Sequence, residues 1–433
     1  MMKKLLVVLI LIIPFATRAS VYTLQQCIDT AYTNSLTLQN QQLSAQRSLL
    51  ALRQAWYNIS PNVTGYIDQG WSFGRSTGVD NIIRAQNIAN TGIGLSANMI
   101  LFDGLAIKFN IDEAKANKLA SEANLDAVQR NVALTITSLY LNVLLQKELR
   151  DVAQAQLEET GRQVERVRAK VEAERQPMGD LYEIESQYAK EQYTLVQRQN
   201  DVRLALLDLS QAMNIPFDET FDIILPAEEE LDGPLLPERQ EVWQTALTHR
   251  PEIRGAQYTL EAEQTALKRQ KSAYSPTLSA GAGVSTGYYH LYGNNNTAFG
   301  QQLSENLTGH VSLNLSIPIY NQMRTPTQVK QQKIAIESAE LELEQTKKDI
   351  QQEIDQAYYN ALAAQSEKVS ARQAEHSSAE AARYATEKYT AGRSNAYEYG
   401  QATQQLLSAR STFLRARYNY LFKVRILEYY MGL

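Results

Sequence analysis

Residues 125–144 read LDAVQRNVALTITSLYLNVL, and residues 343–362, which lie 218 positions later, read LEQTKKDIQQEIDQAYYNAL. In the first stretch apolar residues recur at spacings of three and four, at Leu125, Val128, Val132, Ile136, Leu139 and Val143. A narrow stripe of this kind, flanked by small, polar and charged residues, is typical of a coiled-coil helix. The two stretches also agree in register, since Ile136, Tyr140 and Asn142 meet Ile354, Tyr358 and Asn360. The chain therefore contains two copies of one unit.

The helical pattern continues outward from both stretches for about 70 residues without a clear helix breaker. It then reaches a turn, RQPMGD at residues 175–180 or AGRSN at residues 391–395, and resumes. We predict two long helical hairpins, residues 104–215 and 322–433. The outgoing arm of each is ~100 Å long at the rise of an α-helix.

A shorter helical pattern precedes each hairpin. We predict one amphipathic helix over residues 23–58 and its repeat over residues 241–274, closed by Ser60-Pro61 and Ser275-Pro276. These pairs are 215 positions apart, whereas the long hairpins are 218 apart. The second copy therefore has three extra residues, which we assign to its strand-connecting loop.

After each Ser-Pro pair the hydrophobic period changes from helical to two. Val63, Ile67 and Trp71 alternate with polar residues, and the same alternation recurs near residues 93–101, 278–284 and 311–317. This pattern predicts two β-hairpins, at about 61–102 and 276–320, with polar loops at 75–90 and 291–306. Their strand length, about ten residues, suits transmembrane β-strands. The glycine pair around Ala282 lies within such a strand, which argues against a nucleotide loop.

Four strands cannot close a barrel, and an open strand edge in lipid leaves backbone groups without partners. Insertion into a membrane would therefore require several chains to share one barrel. Two chains give eight strands and three chains give twelve. Because an eight-stranded barrel is filled by its own side chains, an open pore favours three or more chains.

The first 19 residues read as a secretory signal peptide, with Lys3 and Lys4, an apolar run and Thr17-Arg18-Ala19 before Ser20. Cys27 lies too far from this cleavage site to carry the lipid of a lipoprotein. The sequence predicts structural repeats at 20–215 and 241–433, joined by a proline-rich, acidic linker at 216–240 that is irregular in structure.

Composition argues against chemistry of the chain's own. A single cysteine excludes an internal disulfide, and four scattered histidines lack metal-ligand spacing. Lysine and arginine are spread along the helices in a chain of net charge −5, which disfavours nucleic acid as a partner. We expect no enzyme activity, no cofactor and no metal.

The whole sequence after the signal peptide resembles the TolC-like outer-membrane efflux factor family. The resemblance lies in the order and duplication of short motifs, namely Thr23-Leu24-Gln25-Gln26, Arg250-Pro251-Glu252-Ile253, Pro318-Ile319-Tyr320-Asn321 and Tyr389-Thr390-Ala391-Gly392-Arg393. It implies an α+β membrane protein that assembles as a homotrimer. The trimer would form a shared 12-stranded β-barrel in outer-membrane lipid and a periplasmic α-helical barrel. The implied partners are a periplasmic adaptor and an inner-membrane pump.

The resemblance also implies a gate where the hairpin tips close the periplasmic end of the tunnel. The linking Asp and Tyr of the family match Asp180 and Tyr389, its first entrance acid matches Glu398, and its second matches Gln401. The linking Arg falls on Ser394, one place after Arg393. The predicted gate residues are Asp180, Glu183, Tyr389, Arg393, Glu398 and Gln401. The predicted adaptor-contact tips are Gln176, Pro177, Met178, Gly179, Ala391, Gly392, Arg393 and Ser394.

Simpler interpretations remain open at this point. Asp180 with Glu183, and Asn395 with Glu398, have the spacing of capping boxes, so these acids would only start the returning helices. Gly392 has the position of a helix C-cap. For the whole chain, the resemblance implies a passive outer-membrane exit duct of a tripartite efflux or type I secretion system. The alternatives are a periplasmic coiled-coil scaffold without a pore and an enzyme of the cell envelope.

Overall fold

The computed structural model describes residues 21–77, 82–85, 87–225 and 235–432. The predicted signal peptide lies outside the described residues. The chain divides into two compact units. The described parts of residues 1–41, 126–250 and 348–433 form the helical unit, and residues 42–125 with 251–347 form the sheet-containing unit. Each unit takes segments from both predicted repeats, so the repeat boundaries remain a prediction from the sequence.

The first copy begins with short elements and continues into two long helices. Its elements are β1 (Val21–Tyr22), α1 (Leu24–Asn34), α2 (Leu36–Tyr57), β2 (Asn62–Ser72), β3 (Arg75–Thr77), β4 (Ile83–Ala85), β5 (Ile88–Phe102), α3 (Ala106–Glu172) and α4 (Met178–Ala212). Thr23 starts α1 with a reciprocal capping box, in which its hydroxyl accepts from the Gln26 N–H and Gln26 accepts from the Thr23 N–H.

The second copy follows the short connecting strand β6 and has the same order, except that α7 takes the place of β3 and β4. Its elements are β6 (Asp222–Ile223), α5 (Arg239–His249), α6 (Pro251–Ser272), β7 (Thr277–Leu291), α7 (Phe299–Glu305), β8 (Thr308–Ser316), α8 (Arg324–Thr390) and α9 (Ala396–Met431). Both outgoing helices, α3 and α8, contain 67 residues, as the uninterrupted helical pattern predicts.

The single helices predicted at 23–58 and 241–274 are wrong in one respect, because each is broken once. Ser35 and Arg250, which are 215 positions apart, both take extended backbone conformations, with ψ of 116° and 121°. Each still donates its N–H to a carbonyl four residues back. The reason is plain in the second copy, where Pro251 disfavours a helical residue before it.

The predicted linker, 216–240, contains the two-residue strand β6 and the first residues of α5, and its other described residues are irregular. β6 pairs in parallel with β1, so that Tyr22 lies opposite Ile223. The buried Lys147 ammonium donates to the Ile223 carbonyl at 3.2 Å and forms an ion pair with Asp222. Residues 226–234 of this linker lie outside the described residues.

The helical unit has a continuous apolar core beneath this short parallel pair. Ile136, Val143 and Leu144 of α3 pack with Leu209 and Met213 at the end of α4. Ile136 and Val143 belong to the stripe of spacings three and four that predicts the coiled coil, and Leu144 lies beside it. Burial of the stripe holds α4 and the end of α9 against α3.

Four strands of the sheet-containing unit form one antiparallel sheet in the order β2-β5-β7-β8. Both predicted β-hairpins are confirmed, and β5 pairs with β7 to join them. The loop predicted at 75–90 contains the small β3–β4 ladder, and the loop at 291–306 contains α7. The α+β fold class is thereby confirmed.

The two faces of the sheet differ as the alternation predicts. Ile67 and Val311 are 77% and 84% exposed, and Trp71 lies on the same face of β2 as Ile67. On the polar face, large side chains lie over glycines of the neighbouring strand. A Cβ on Gly92 would collide with the Asp68 carboxylate, and one on Gly94 would meet the Tyr66 ring at 2.7 Å. The sheet therefore presents one mainly apolar face, interrupted by the hydrogen-bonded pair Gln69 and Thr91.

The joints between strands and long helices are the same in both copies. Gly104 and Leu105 have φ of 68° and 71°, and Gln322 and Met323, 218 positions later, have 57° and 58°. Two successive left-handed residues are rare outside glycine. None of the described helices combines the length and hydropathy that a membrane-spanning helix requires.

Candidate gate at the hairpin tips

The first hairpin loop leaves α3 through a left-handed residue. Glu174 has φ 59°, the N–H of Arg175 donates to the Lys170 carbonyl at 2.8 Å, and the Glu174 N–H donates to Val171 at 2.9 Å. These bonds satisfy carbonyls that the end of a helix leaves without partners, in the pattern of a Schellman motif. A glutamate in this conformation is strained relative to a glycine.

The second hairpin loop has the same backbone with different residues. Gly392, 218 positions after Glu174, has φ 72°. The N–H of Arg393 donates to Lys388 at 2.8 Å, and the Gly392 N–H donates to Tyr389 at 3.0 Å. The prediction of Gly392 as a C-terminal helix cap is thus confirmed.

The returning helices begin at equivalent positions but are capped differently. Asn395 caps α9 by accepting a hydrogen bond from the Glu398 N–H at 2.8 Å. Its counterpart Pro177 precedes α4 and makes no side-chain cap. The proposed capping box at Asp180 and Glu183 is therefore wrong, because α4 starts at Met178 and Asp180 already lies within its first turn.

Tyr389 anchors a small apolar core beneath the two loops. It is 5% exposed and stacks on Tyr399 of α9, with ring centroids 5.0 Å apart and planes at 17°. Val164 and Val167 of α3 and Leu181 and Ile184 of α4 complete this core. Burial raises the pKa of Tyr399 to about 12. The core joins the tips of both hairpins within one chain.

Asp180 and Tyr389, the predicted linking pair, are brought together through a third residue. The Gln176 side-chain amide donates to the Asp180 carboxylate at 2.9 Å and to the Tyr389 hydroxyl at 3.3 Å. Burial raises the pKa of Tyr389, and the negative charges of Asp180 and Glu183 act in the same direction. Sequence reasoning assigned Gln176 to the adaptor-contact surface and missed this bridge, since a glutamine before a proline carries no specific signal.

The other predicted gate residues lie at the surface of the chain. Glu398 is exposed, and its carboxylate accepts from the Ser394 hydroxyl at 2.5 Å. Glu183, Gln401 and Arg393 are also exposed. The carboxylate of Glu398 is thus held against its own loop by a neutral donor.

The predicted contact surface at the tips is largely exposed. Pro177, Met178 and Gly179 are exposed in the first loop, while Gln176 is half-buried. In the second loop Ala391, Gly392 and Arg393 are exposed, and Ser394 is half-buried. The exposed surface of both loops therefore consists of backbone and small side chains together with Met178 and Arg393.

A buried carboxylate farther up the hairpin was not predicted. Glu191 of α4 is 3% exposed, and its Oε1 accepts from Gln187 at 2.7 Å, from Gln156 at 3.3 Å and from Gln404 at 3.5 Å. Its Oε2 has no hydrogen-bond partner among the described residues. Burial raises the pKa of this carboxyl group, and the hydrogen bonds from Gln187 and Gln156 offset that rise only in part. Its only sequence signal is a charge on the apolar stripe of α4.

Known structures share this fold over nearly the whole chain. The outer membrane protein VceC of Vibrio cholerae matches with a TM-score of 0.74 at 16% identity, covering 94% of this chain and 96% of VceC. The open state of the Neisseria gonorrhoeae MtrE outer membrane channel matches with a TM-score of 0.76 at 19% identity, covering 94% and 88%. The fold is that of outer membrane channels with long helical hairpins.

Sequence comparison assigns the chain to a family within that class. A profile described as "Outer membrane efflux protein" matches residues 27–214 and 242–433. The outer membrane efflux protein BepC of Brucella suis biovar 1 (strain 1330) is 24% identical over 294 residues, which span 66% of this chain and 61% of BepC. The chain belongs to the outer membrane efflux protein family, and its location is the outer membrane.

Proposed function

We propose that this protein is the passive exit duct of a tripartite efflux or type I secretion system. Three chains contribute four strands each to a 12-stranded barrel in outer-membrane lipid. Their long hairpins form a periplasmic tunnel that docks on an adaptor protein and conducts cargo delivered by an inner-membrane pump. The pump supplies the energy, and the duct itself performs no chemistry.

One observation carries this proposal: the four-stranded sheet has an exposed apolar face and belongs to the same chain as two 67-residue helices. A single chain gives the sheet two edge strands, β2 and β8. Edges in lipid are costly unless a neighbouring chain pairs with them. Repeating the chain around an axis pairs β8 of one copy with β2 of the next and removes both edges.

The gate part of the proposal rests on the tips. Asp180 and Tyr389 tie the two hairpins of one chain together through Gln176. Glu398 lies exposed on the first turn of α9, so three copies around a narrow axis would form an acidic ring. Such a ring favours cations over anions.

The decisive experiment is planar-bilayer conductance of the detergent-extracted protein, with its oligomeric mass measured on the same sample. We expect a trimer that forms cation-selective channels. A monomer that does not conduct would overturn the proposal and favour the coiled-coil scaffold. That scaffold explains the helices equally well but leaves the apolar face of the sheet without a role.

The gate is tested by two variants in the same assay. Asp180→Ala combined with Tyr389→Phe should raise single-channel conductance, because the link between the hairpins is removed. Glu398→Gln should weaken block by multivalent cations, because each chain loses one charge from the ring. Unchanged conductance and unchanged block would assign these residues to helix packing and capping.

A further inference from the structure

Each hairpin loop contains an equivalent side-chain hydrogen bond. In the first loop Gln176 donates to Asp180, and in the second Ser394 donates to Glu398, the residues of each pair being four positions apart. Gln176 and Ser394 are equivalent at the offset of 218, and so are Asp180 and Glu398. The bond is therefore a feature of the loop itself, repeated in both copies.

The two donors differ in how many bonds they can make. A serine hydroxyl has one hydrogen, which Ser394 donates to Glu398 within its own loop. A glutamine amide has two, and Gln176 uses the second for the Tyr389 hydroxyl on the last turn of α8. Among the described contacts, the hydrogen-bonded path from Asp180 to Tyr389 runs through Gln176.

The acceptors also require such a donor. Asp180, when ionised, can only accept hydrogen bonds, and it is half-buried beside the buried Tyr389. Its charge acts on the phenol, whose pKa it helps to raise. An amide placed between them donates one hydrogen bond to Oδ2 of Asp180 and one to the Tyr389 hydroxyl, without adding charge.

We infer that Gln176 is the positioning residue of the gate, which ties the first hairpin loop to the end of α8 and thereby sets Asp180 and Tyr389 for closure. This inference rests on the proposed function for its link to conduction, but the bridge itself is a property of the chain. Gln176 then belongs to the closure machinery rather than to the contact surface predicted from sequence.

The substitution that isolates the bridge is Gln176→Ser, which places in the first loop the residue that the second loop already has. It keeps a hydroxyl donor at this position of the loop and loses the reach to Tyr389. Gln176→Leu removes both bonds. The matched control is Gln197→Leu, which also removes a glutamine-to-tyrosine bond, at 2.9 Å to Tyr193, but inside one helix.

Hydrogen exchange of the purified full-length protein, read by mass spectrometry, tests the bridge directly. With Gln176→Ser we expect exchange to rise about tenfold in residues 173–184 and also in residues 386–396, because the two segments lose their shared bond. Gln197→Leu should leave both segments unchanged. A rise confined to residues 173–184, or no rise, would overturn the inference.

Conductance then tests the link to closure. Gln176→Ser should raise single-channel conductance, and adding it to Asp180→Ala with Tyr389→Phe should give no further increase, since all three act on one contact. If the pair variant opens the channel and Gln176→Ser does not, the inference fails while the proposed function stands. If the wild-type protein and every variant fail to conduct, the proposed function fails, and the exchange result still decides the bridge.

Discussion

The first and second hairpin loops share a backbone and differ in side chains. In both, a left-handed residue follows the outgoing helix and the next arginine N–H donates five residues back, at 2.8 Å. The side chains that carry this backbone are Glu174 in one loop and Gly392 in the other. The comparison teaches that the unpaired carbonyls of the helix end determine the turn, while its residues are free to diverge.

The divergence has a direction. The second copy has the favourable residues for its own fold, Gly392 in the left-handed position and Asn395 at the cap. The first copy has Glu174 and Pro177 there, together with Gln176, which reaches across to the other hairpin. We therefore expect the second loop to be the more stable of the two. The side-chain hydrogen bond that connects the hairpins comes from the first loop.

The largest expected effect concerns the core beneath the loops, where Tyr389 is the counterpart of Val171. Tyr389→Ala should destabilise the tips by about 3–5 kcal/mol, because it leaves a cavity beside Tyr399. Val171→Ala, at a half-buried position, should cost roughly 1 kcal/mol. Thermal unfolding of the purified protein measures both, with the exposed Tyr397→Ala as control. Equal costs for the two positions would contradict the asymmetry.

The next effect concerns Glu191, whose counterpart in the second copy is Ala409. Because burial raises the pKa of Glu191 in the folded chain, its contribution to stability is full below the pKa of the unfolded chain and is lost as pH rises through the folded pKa. Glu191→Gln should remove this pH dependence, because the amide does not titrate.

Unfolding temperatures measured from about pH 4 to about pH 8 check this expectation, a range that brackets the titration of a raised glutamate. The wild-type protein should lose stability relative to Glu191→Gln as the pH rises. The exposed Glu165→Gln serves as the matched control. Parallel curves for wild type and Glu191→Gln would show that the buried carboxyl group does not titrate separately in the folded protein.

An exchange of the left-handed residues should give a smaller effect of opposite sign in the two loops. Gly392→Glu should destabilise the second loop by about 1–2 kcal/mol, since only glycine adopts this conformation without strain. Glu174→Gly should stabilise the first loop by up to about 1 kcal/mol. A Cβ at Gly392 meets no atom within 4 Å, so crowding does not confuse the result. Hydrogen exchange of the two loops measures both changes, and changes of the same sign would contradict the comparison.

The smallest effect concerns the caps. Asn395→Ala should weaken the start of α9 by about 1 kcal/mol, because the Glu398 N–H loses its acceptor. Pro177→Asn should strengthen the start of α4 by a few tenths of that amount, since Pro177 provides no side-chain acceptor. Exchange of the first-turn amides of both helices gives the answer. An unchanged α9 start would show that packing of Ala396, rather than the cap, holds that end.

The sequence predicts the main fold because its signals are local and repeated. The stripe through Val132, Ile136 and Val143 defines the long helix, and the alternation after Ser60-Pro61 defines the strands. The breaks at Ser35 and Arg250 were missed, although Pro251 was a visible signal for the second. The signal at Ser35 is a serine immediately before Leu36, the first residue of α2, and its hydroxyl accepts a hydrogen bond from the Leu38 N–H at 3.3 Å, as an N-cap residue does.

The candidate gate was predicted less completely, since its contacts join residues far apart in sequence. The resemblance identified Asp180 and Tyr389, and their proximity is now described, but the donor between them depends on the reach of one side chain. The left-handed Glu174 was equally hidden, because a glutamate gives no sign of that conformation.

The joints at Gly104-Leu105 and Gln322-Met323 restrict how the sequence can change in length. A 67-residue helix runs from each joint to its hairpin loop. One residue inserted near the start of that helix would therefore turn every later side chain by about 100° around the helix axis. Such an insertion would carry the whole apolar stripe out of register. The three extra residues of the second copy lie between the start of its first long strand and the start of its long helix. Asn62 is equivalent to Thr277 at an offset of 215, whereas Ala106 is equivalent to Arg324 at an offset of 218. Length variation in descendants of this chain is therefore expected in the strand loops, while helix length is inherited almost unchanged.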